Sequence, residues 1–344
     1  MADPRFFSKA PSVKAKELAA LLGCEIIGDG ETMIENVASL AQARAGDVSF
    51  FEAEKYIEDL QKTQASAVIL HQDKSAQAAH LKCAFVSQEP YKDFARAVQI
   101  FYPDEQPARH VSGMQELAIH PSAQIEDNVD IAIGVVIGPN AEIGAGTKIA
   151  ANSVIGEGCV IGRDCRIGAN VTISHTLMGD QVYIHPQVSI GQDGFGFAPD
   201  MSGHVKIPQL GRVIIQNNVE IGAGTMIDRG GLDDTIIGEG TKIDNLCHIA
   251  HNVVIGRHCF FAGQSGVAGS THIGDFAFVG GKVGISGHLS IGQGVKLQGA
   301  SVVTKDLPDG AHVSGYPARD VQTWRKQEAT LARLAKSKDK NKTK

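Results

Sequence analysis

Three histidines lie within eleven residues of the sequence, in the stretch HIAHNVVIGRH from His248 to His258. A neutral imidazole can accept a proton during catalysis, and clustered imidazoles can bind zinc, so the stretch suits either kind of chemistry. The spacing alone does not decide between these uses, nor does it exclude three unrelated surface side chains. The position of each histidine on the folded backbone has to be established first.

A repeat of six residues predicts the backbone around these histidines. Isoleucine recurs at every sixth position from Ile119 to Ile173, and the twelve positions at the same spacing from Ile237 to Val303 are Ile, Val, Leu or Phe. A period of six fits neither an α-helix nor a simple strand alternation, but it fits a short strand followed by a turn. Three such units form a triangular coil, and coils stack about 4.8 Å apart, the ordinary strand spacing. We therefore predict a mainly β protein built on a parallel β-helix of hexapeptide repeats, whose stacked coils bury the aliphatic residues.

The cysteines follow the same repeat. Six are present and none forms a CxxC pair, so the sequence predicts neither a disulfide framework nor a zinc ribbon. We expect no metal and no other cofactor. Four cysteines occupy the inward position four residues after the aliphatic one, where we interpret them as small core residues: Cys159, Cys165, Cys247 and Cys259.

The composition excludes several classes of protein. The chain of 344 residues is 43% hydrophobic and 20% charged with a formal net charge of −6, which is ordinary for a globular protein and unlike a nucleic-acid-binding one. No apolar run reaches the roughly 18 residues that a membrane helix needs, and the first residues, MADPRFFSKAPSVK, lack the apolar segment of a signal peptide. We expect a cytoplasmic protein with no transmembrane segment and no nucleic-acid partner.

The repeat divides the chain into four segments. Residues 1–105 lack it and alternate short helix and strand patterns, which predicts a small α/β domain. Residues 106–117 are predicted to be a linker, residues 118–313 the β-helix, and residues 314–344 a helical tail. The hexapeptide register breaks twice, between Ile190 and Ile215 and at residues 228–235. Insertions in a solenoid form loops, often on the binding face.

Position within the repeat aligns His251 with two later residues. Gly269 follows it by 18 residues, one predicted coil, and His288 follows it by 37, two coils and one residue. We expect His251, the Gly269 backbone and His288 along one line on one face, about 5 Å apart from coil to coil. His248 is expected at the preceding corner and His258 on the next face, so the three clustered histidines should not converge.

This alignment suits acyl transfer. A neutral imidazole can take the proton from an attacking amine, and a backbone N–H one coil away can stabilise the oxyanion that forms on the carbonyl. A thiol would then leave. The residues therefore favour an acyltransferase that uses His251 and Gly269.

Three other functions are weighed against this one. A γ-type carbonic anhydrase on the same solenoid needs three histidines on zinc, two of them five residues apart, and no H-x4-H occurs here. A sugar N-acetyltransferase using acetyl-CoA would not need the large N-terminal domain or the DGFGF loop at 193–197. A scaffold without activity would not need the aligned histidines and glycine.

The sequence resembles the UDP-3-O-acylglucosamine N-acyltransferase family of lipid A biosynthesis over nearly its whole length. The most specific matches are DGFGF (193–197), KIPQLG (206–211), IDRGGLDDT (227–235), IDNLCHIAHNVVIG (243–256), SGH (286–288) and SGYPA with a later tryptophan (314–324). The resemblance implies a left-handed β-helix and a homotrimer. It also implies transfer of a (3R)-3-hydroxyacyl group from acyl carrier protein to the 2-amine of UDP-3-O-(3-hydroxyacyl)-glucosamine, giving UDP-2,3-diacylglucosamine.

The resemblance assigns four catalytic positions. His251 matches the general base, Asp244 its acidic partner, and the Gly269 N–H the oxyanion donor. His288 matches a second active-site histidine that binds substrate or thioester. Asp244 and His251 lie on adjacent faces of the predicted coil, so their pairing within one chain or across a trimer interface stays open.

The resemblance also assigns binding positions on the β-helix. Asn245 and His248 match substrate-binding residues. Val302 matches a position that lines the acyl-chain groove, although an ordinary outer residue of the solenoid would have the same sequence signature.

In the N-terminal domain the family holds uracil between aromatic rings in a motif like F-x-x-N-P-K-Y. The corresponding stretch here is FFEAEKY, in which Phe50, Lys55 and Tyr56 match, while Ala53 and Glu54 replace Asn and Pro. Stacking on the rings should be retained, and a contact from the missing Asn should be lost. Core packing is the alternative role of the two rings.

The tail differs in charge from the rest of the chain. From Arg319 onward it has nine Lys or Arg and three Asp or Glu, a net charge of +6. One interpretation is a solvated helix, and the other is a short trimeric bundle whose basic face meets an acidic carrier protein. The predicted contacts are Arg325, Lys326, Arg333 and Lys336.

Overall fold

A computed structural model describes residues 2–103, 118–201, 203–315 and 318–340, without the side chains of residues 335–340. The predicted linker at 106–117 lies outside the described residues. The remainder consists of an α/β region, a long β-helix and a terminal helix.

The α/β region contains seven strands among the described residues: β1 (Val13–Lys14), β2 (Glu25–Gly28), β3 (Met33–Ile34), β4 (Asn36–Val37), β5 (Asp47–Phe51), β6 (Ala67–Leu70) and β7 (Cys83–Val86). Five of them form one sheet in the order β2-β7-β6-β5-β4, and β1 pairs with β3 outside this sheet. The central strands β6 and β7 have the sequences AVIL and CAFV and are buried throughout, as expected for parallel strands covered on both faces. The helices are α1 (Ala15–Leu22), α2 (Ile57–Lys62) and α3 (Pro90–Phe101), with 3₁₀ turns at Glu54–Tyr56 and Gln72–Ala78.

The β-helix has three faces, each a parallel sheet of two- to four-residue strands. Face 1 contains Val136–Ile137, Val154–Ile155, Thr172–Ile173, Ser189–Gln192, Met226–Asp228, His248–Ile249, Gly266–Val267, Gly284–Ile285 and Val302–Val303. Face 2 contains Gln124–Ile125, Glu142–Ile143, Val160–Ile161, Thr176–Met178, Val213–Ile215, Thr235–Ile237, Val254–Ile255, His272–Ile273 and Ser290–Ile291. Face 3 contains Asp130–Ile131, Lys148–Ile149, Arg166–Ile167, Tyr183–Ile184, Glu220–Ile221, Lys242–Ile243, Phe260–Phe261, Phe278–Val279, Lys296–Leu297 and His312–Val313. The chain runs from face 1 to face 2 to face 3 and back, one coil per circuit.

Inward aliphatic residues and tight corners account for this shape. The repeating Ile, Val and Leu residues form one continuous core, and the four repeat cysteines are buried within it. Many corner residues have positive φ, which a short polar side chain tolerates best. Asparagine accordingly occupies several of these corners: Asn128, Asn140, Asn152, Asn170, Asn218 and Asn252.

All interruptions of the repeat lie where face 1 turns into face 2, which we call the 1–2 corner. One coil is a residue shorter there, at the buried His175, so that Ile161 pairs with Met178. The insertion between Gln192 and Val213 leaves the same corner and contains the hairpin Phe197–Ala198 with Val205–Lys206. Residues 229–234 form the second excursion, again between face 1 and face 2. Both register breaks are therefore loops, as predicted, and both lie at one corner.

The α/β region packs against this interrupted corner. Arg212 donates to Asp3 at 2.8 Å, and the ring of Phe7 stacks on His175 with centroids 5.1 Å apart. The amide of Gln99 on α3 donates to the carbonyl of Lys206 at 2.7 Å. These contacts join the two regions through the insertion.

The terminal helix α4 (Val321–Lys340) follows the last coil. Its apolar side chains at Val321, Trp324, Leu331 and Leu334 are at least half exposed. No helix in the described residues is long and apolar enough to cross a membrane.

Candidate active site

His251 lies in the turn at the 1–2 corner, between two glycines that leave room for its ring. A Cβ on residue 194 would lie 2.5 Å from Cβ of His251 and 2.9 Å from its Cδ2. A Cβ on residue 269 would lie 2.7 Å from both Cε1 and Nε2. Only glycine fits at either position, so the imidazole is held between the insertion on one side and the next coil on the other.

Asn252 sets the proton position on His251. Its Oδ1 accepts from the Gly231 N–H at 2.9 Å, and its Nδ2 donates to the Asp233 carbonyl at 2.9 Å. The orientation of the amide is thereby fixed, and Oδ1 lies 3.0 Å from Nδ1 of His251. Because Oδ1 is an acceptor, Nδ1 must carry the proton and Nε2 presents its lone pair toward Gly269. Asn252 was not identified from the sequence, although it directly follows His251.

Gly269 and His288 continue the corner above His251. The Gly269 N–H has no hydrogen-bond acceptor within the described part of the chain. Its carbonyl accepts from the His288 N–H at 3.0 Å, so the column expected from the sequence is formed. Burial, and then the proximity of Lys55 and His251, lower the pKa of His288. The neutral imidazole is therefore favoured at this position at neutral pH.

A cavity of about 330 Å³ lies between the α/β region and this column. Its lining includes the matched clamp residues Phe50, Lys55 and Tyr56, together with Tyr91 and His288. Phe50 also packs on the core ring of Phe94, with centroids 4.7 Å apart, whereas Tyr56 is 37% exposed. The two rings thus have different surroundings: Phe50 serves both core and cavity, and Tyr56 mainly the cavity. Tyr91 was not identified from the sequence.

The sequence predicted His248 at a corner, and this prediction is wrong. The residue lies in a face 1 strand with its side chain outward. The reason is that it directly precedes the inward Ile249, and neighbouring strand residues point to opposite sides. Its Nε2 lies 3.2 Å from Oδ2 of Asp228, a buried residue that also accepts from Gln192 at 2.9 Å. The Asp228 hydrogen bond raises the pKa of His248. His258 was predicted on a face, but it lies in the turn between faces 2 and 3, where its ring stacks on Phe276.

Asp244 and Asn245 lie at the 3–1 corner, where face 3 turns into face 1. Asp244 accepts from the Gly263 N–H at 3.0 Å and from the Asn245 side chain at 2.8 Å. Asn245 in turn accepts from the Ala223 N–H at 2.7 Å. No hydrogen bond within the described residues joins Asp244 to His251, which lies at the other end of face 1. The in-chain pairing left open by the sequence is therefore not made.

The outer side of face 1 forms an open strip next to these corners. Its ladder runs from His248 through Gly266 and Gly284 to Val302. A Cβ at either glycine would meet no atom within 4 Å, and Val302 is 64% exposed. The strip ends with an apolar side chain at Val302.

A second cavity, of about 590 Å³, lies on face 3. It is lined by Asp244 and Asn245 at one end and by the exposed rings of Phe260 and Phe278. Asp244 therefore lies far from His251 and beside the apolar surface formed by Phe260 and Phe278 on face 3.

The remaining predicted features concern metals and the tail. Among the described residues, no group of three His, Cys, Asp or Glu side chains could hold a metal ion. Burial raises the pKa of Cys159 to about 12, so this thiol is not a nucleophile at neutral pH. Arg325, Lys326 and Arg333 are exposed on α4, and the side chain of Lys336 lies outside the described part.

Comparisons with known proteins identify the family to which the chain is similar. The family model for UDP-3-O-(3-hydroxymyristoyl) glucosamine N-acyltransferase, LpxD, matches residues 31–100, and the bacterial transferase hexapeptide model matches residues 122–157, 140–175 and 234–269. The UDP-3-O-acylglucosamine N-acyltransferase of Methylobacterium sp. (strain 4-46) is 45% identical over 341 residues, 97% of each chain. That of Granulibacter bethesdensis is 47% identical over 336 residues, again 97% of each chain.

A solved structure of UDP-N-acetylglucosamine acyltransferase from Francisella novicida is 25% identical, covering 57% of this chain and 66% of that chain with a TM-score of 0.42. The hexapeptide match and the three parallel sheets confirm the parallel β-helix of hexapeptide repeats predicted from the sequence.

Proposed function

Because the chain belongs to the UDP-3-O-acylglucosamine N-acyltransferase family of lipid A biosynthesis, we propose the following reaction for it. It transfers a (3R)-3-hydroxyacyl group from acyl carrier protein to the 2-amine of UDP-3-O-(3-hydroxyacyl)-glucosamine, giving UDP-2,3-diacylglucosamine in the cytoplasm. The observation that carries the proposal is the placement of His251. Its ring lies between Gly194 and Gly269, with Nε2 directed at the Gly269 backbone.

The chemistry follows from this placement. The 2-amine attacks the thioester carbonyl, and Nε2 of His251 takes the proton that the nitrogen loses as the C–N bond forms. The Gly269 N–H donates to the oxyanion of the tetrahedral intermediate. Collapse of the intermediate breaks the C–S bond, and the thiolate leaves with the proton from the imidazolium. Asn252 keeps Nδ1 protonated throughout, so Nε2 is the nitrogen that exchanges protons.

The acceptor nucleotide belongs in the cavity between the α/β region and the column. Uracil stacks on Tyr56 and the outer edge of Phe50, and Lys55 supplies a positive charge for the diphosphate. His288 lines the same cavity and directs the sugar toward His251. Ala53 and Glu54 offer no side-chain amide for the base, so stacking carries a larger share of uracil binding.

A trimer completes the site. Face 2 carries an outward ladder of five half-buried aliphatic residues, Val160, Leu177, Ile214, Ile236 and Val254. Face 3 carries the exposed Phe260 and Phe278. If face 2 of one subunit packs on face 3 of the next around a three-fold axis, the 1–2 corner of the first meets the 3–1 corner of the second. His251 then receives Asp244 and Asn245 from the neighbouring subunit.

Acyl chains and carrier protein have separate surfaces. The glycine strip of face 1 accommodates an extended acyl chain beside His248, and Val302 limits its length. The basic residues Arg325, Lys326, Arg333 and Lys336 on α4 attract the acidic carrier protein.

The experiment that tests this function is an assay of the purified protein with UDP-3-O-acylglucosamine and a panel of 3-hydroxyacyl carrier proteins. Mass spectrometry of the product should show one added hydroxyacyl group, resistant to mild alkali because it is an amide. Acetyl-CoA serves as the contrasting donor. Turnover with acetyl-CoA and none with any carrier protein would contradict the proposal.

A further inference from the structure

Arg229 is an almost fully buried cation that the proposed chemistry does not use. Its side chain is 6% exposed, and it follows the face 1 strand that ends at Asp228. A buried guanidinium must use its five N–H groups on acceptors, since each lost contact with water has to be replaced. Its partners therefore indicate what it holds in place.

The guanidinium ties the two arms of the insertion together. It donates to the carbonyl of Gly191, in the strand that leads into the insertion, at 3.1 Å, and it pairs with the carboxylate of Asp193, on the outgoing arm, at 2.6 Å. On the returning arm, its Nε donates to the Gln209 carbonyl at 2.8 Å. One side chain therefore fixes both ends of an insertion of about twenty residues.

The residue after Asp193 is Gly194, the glycine that packs on one side of the His251 ring. The chain from Arg229 to Asp193 to Gly194 thus ends on the imidazole, with a gap too small even for a methyl group. The side chain of Gln209 also borders this gap, since its Oε1 would lie 2.9 Å from a Cβ on residue 194. Movement of the outgoing arm away from His251 would release the ring on this side.

Arg229 also contacts the α/β region. Its Nη1 lies 3.3 Å from Nδ1 of His175, and its guanidinium carbon lies 5.8 Å from the centre of the Phe7 ring. Phe7 belongs to the core of the α/β region. Arg229 therefore lies between the α/β region and the Asp193–Gly194 segment that packs against His251.

We propose that Arg229 is a positioning residue for the reaction, which sets the rotamer of His251 by fixing the Asp193–Gly194 wall against its ring. The proposal rests on the proposed function in one respect, the role of His251 as base. Lysine cannot replace the arginine, because one ammonium cannot reach a carboxylate and two carbonyls on separate arms of a loop.

A purely structural role for Arg229 would have a different signature. The insertion also carries the contacts to α3, so a general loosening of it would weaken nucleotide binding and catalysis together. Loss of the wall alone should lower kcat and leave binding of the acceptor unchanged, because the uracil cavity has its own rings. The readout is therefore the loss of kcat compared with the loss of acceptor affinity in the same variant.

The experiment compares the variants Arg229→Lys and Arg229→Ala with Lys206→Met. Lys206 pairs with the same Asp193 carboxylate at 2.7 Å but from the solvent side, which makes it a matched control. We expect Arg229→Lys to lower kcat roughly 30-fold or more with the Kd of UDP within about twofold of wild type, as for a lost orienting group. Lys206→Met should retain at least about a third of the wild-type kcat, because an exposed ion pair contributes little. Added guanidinium or methylguanidinium should restore part of the rate of Arg229→Ala.

A kcat of Arg229→Lys within threefold of wild type, or parallel losses of kcat and UDP affinity, would overturn the proposal. Failure of guanidinium to raise the rate of a folded Arg229→Ala would also do so. If Arg229→Ala does not fold, Arg229→Lys decides by the same criteria. Inactivity of the wild-type protein would instead refute the proposed function, so the two failures are distinguishable.

Discussion

The two corners that bound face 1 are made from the same kind of hexapeptide turn, yet they differ in what surrounds them. The 3–1 corner, with Asp244 and Asn245, repeats without interruption, and its polar groups bond to the next turns of the ladder. The 1–2 corner is interrupted at His175, by the insertion after Gln192 and by residues 229–234, and it receives the α/β region. His251 lies at this second corner.

The difference shows how a solenoid acquires an enclosed site. A regular corner exposes its side chains to solvent, because each coil contacts only the coils above and below. An interruption adds chain that can fold back on the outside, and here it places Gly194 against His251. The regular corner becomes part of a site only if another subunit covers it.

The strongest expected effect is at the interrupted corner. His251→Ala should lower kcat by roughly 10²–10⁴, the usual contribution of a positioned acid–base group, with the fold intact. His258→Ala is the control, since it also removes a histidine from a hexapeptide turn, but at the corner between faces 2 and 3. It should keep most of the activity. A rate above half of wild type for His251→Ala would rule out its role as base.

A smaller but still large effect is expected at the regular corner. Asp244→Ala should lower kcat by about 10², because the role proposed for its carboxylate is to support the base rather than to contact the substrate. The decisive measurement is subunit mixing with His251→Ala. If the pair forms across the interface, about a quarter of the sites in randomly mixed trimers combine an intact His251 with an intact Asp244. Activity should then rise well above that of either parent, whereas no recovery would show that Asp244 does not act on His251 across the interface.

The contrast between corners also explains what could be predicted from the sequence. The hexapeptide period fixed the coil length, so the column of His251, Gly269 and His288 followed from counting residues. Counting failed for His248, whose outward direction depends on the pleat of a strand beside the inward Ile249. Arg229 was missed for a different reason: its partners belong to an insertion that has no period.

The effect of the nucleotide clamp should be moderate and confined to binding. Tyr56→Ala should raise the KM for the UDP-sugar roughly twofold to tenfold, the range expected for a lost aromatic stack, without changing the KM for the carrier protein. Phe50→Ala should do the same but also lower the unfolding temperature, because Phe50 packs on Phe94. Leu21→Ala, an exposed apolar change in the same region, is the control. Unfolding of both ring variants would make these rings core residues and not a clamp.

A weaker effect concerns stability on face 1 between the two corners. The hydrogen bond from Asp228 raises the pKa of His248, so the folded state binds this proton more tightly than the unfolded state. The stabilisation should be complete below the ordinary histidine pKa of about 6.5 and be lost as the pH rises through the folded value. Wild type should therefore unfold at a higher temperature than His248→Gln at pH 5.5, and the gap should close by pH 9. A gap that is independent of pH would contradict the pairing.

The smallest effect is expected outside both corners, on the tail helix. Residues Arg319 to Lys344 carry a net charge of +6 while the whole chain carries −6, so the remainder of the molecule is strongly acidic and would repel an acidic carrier protein. The exposed Arg325, Lys326 and Arg333 can offset this repulsion, with Lys336 as a fourth predicted contact. Exposed charges act over roughly 10 Å at 0.1 M salt and farther in dilute buffer.

Reversing these four charges should therefore raise the carrier-protein KM a few-fold at low ionic strength, with little effect at high salt and none on kcat, because exposed charges mainly steer encounter. Reversal of Lys9, Arg44, Lys62 and Lys82, four exposed basic residues of the α/β region, controls for the change in net charge. If the tail variant and the control raise the carrier KM equally, the charge of the whole molecule governs encounter. If the tail variant leaves that KM unchanged in dilute buffer, α4 has no part in carrier binding, and its exposed Val321, Trp324, Leu331 and Leu334 favour a helix that packs against its copies in the trimer.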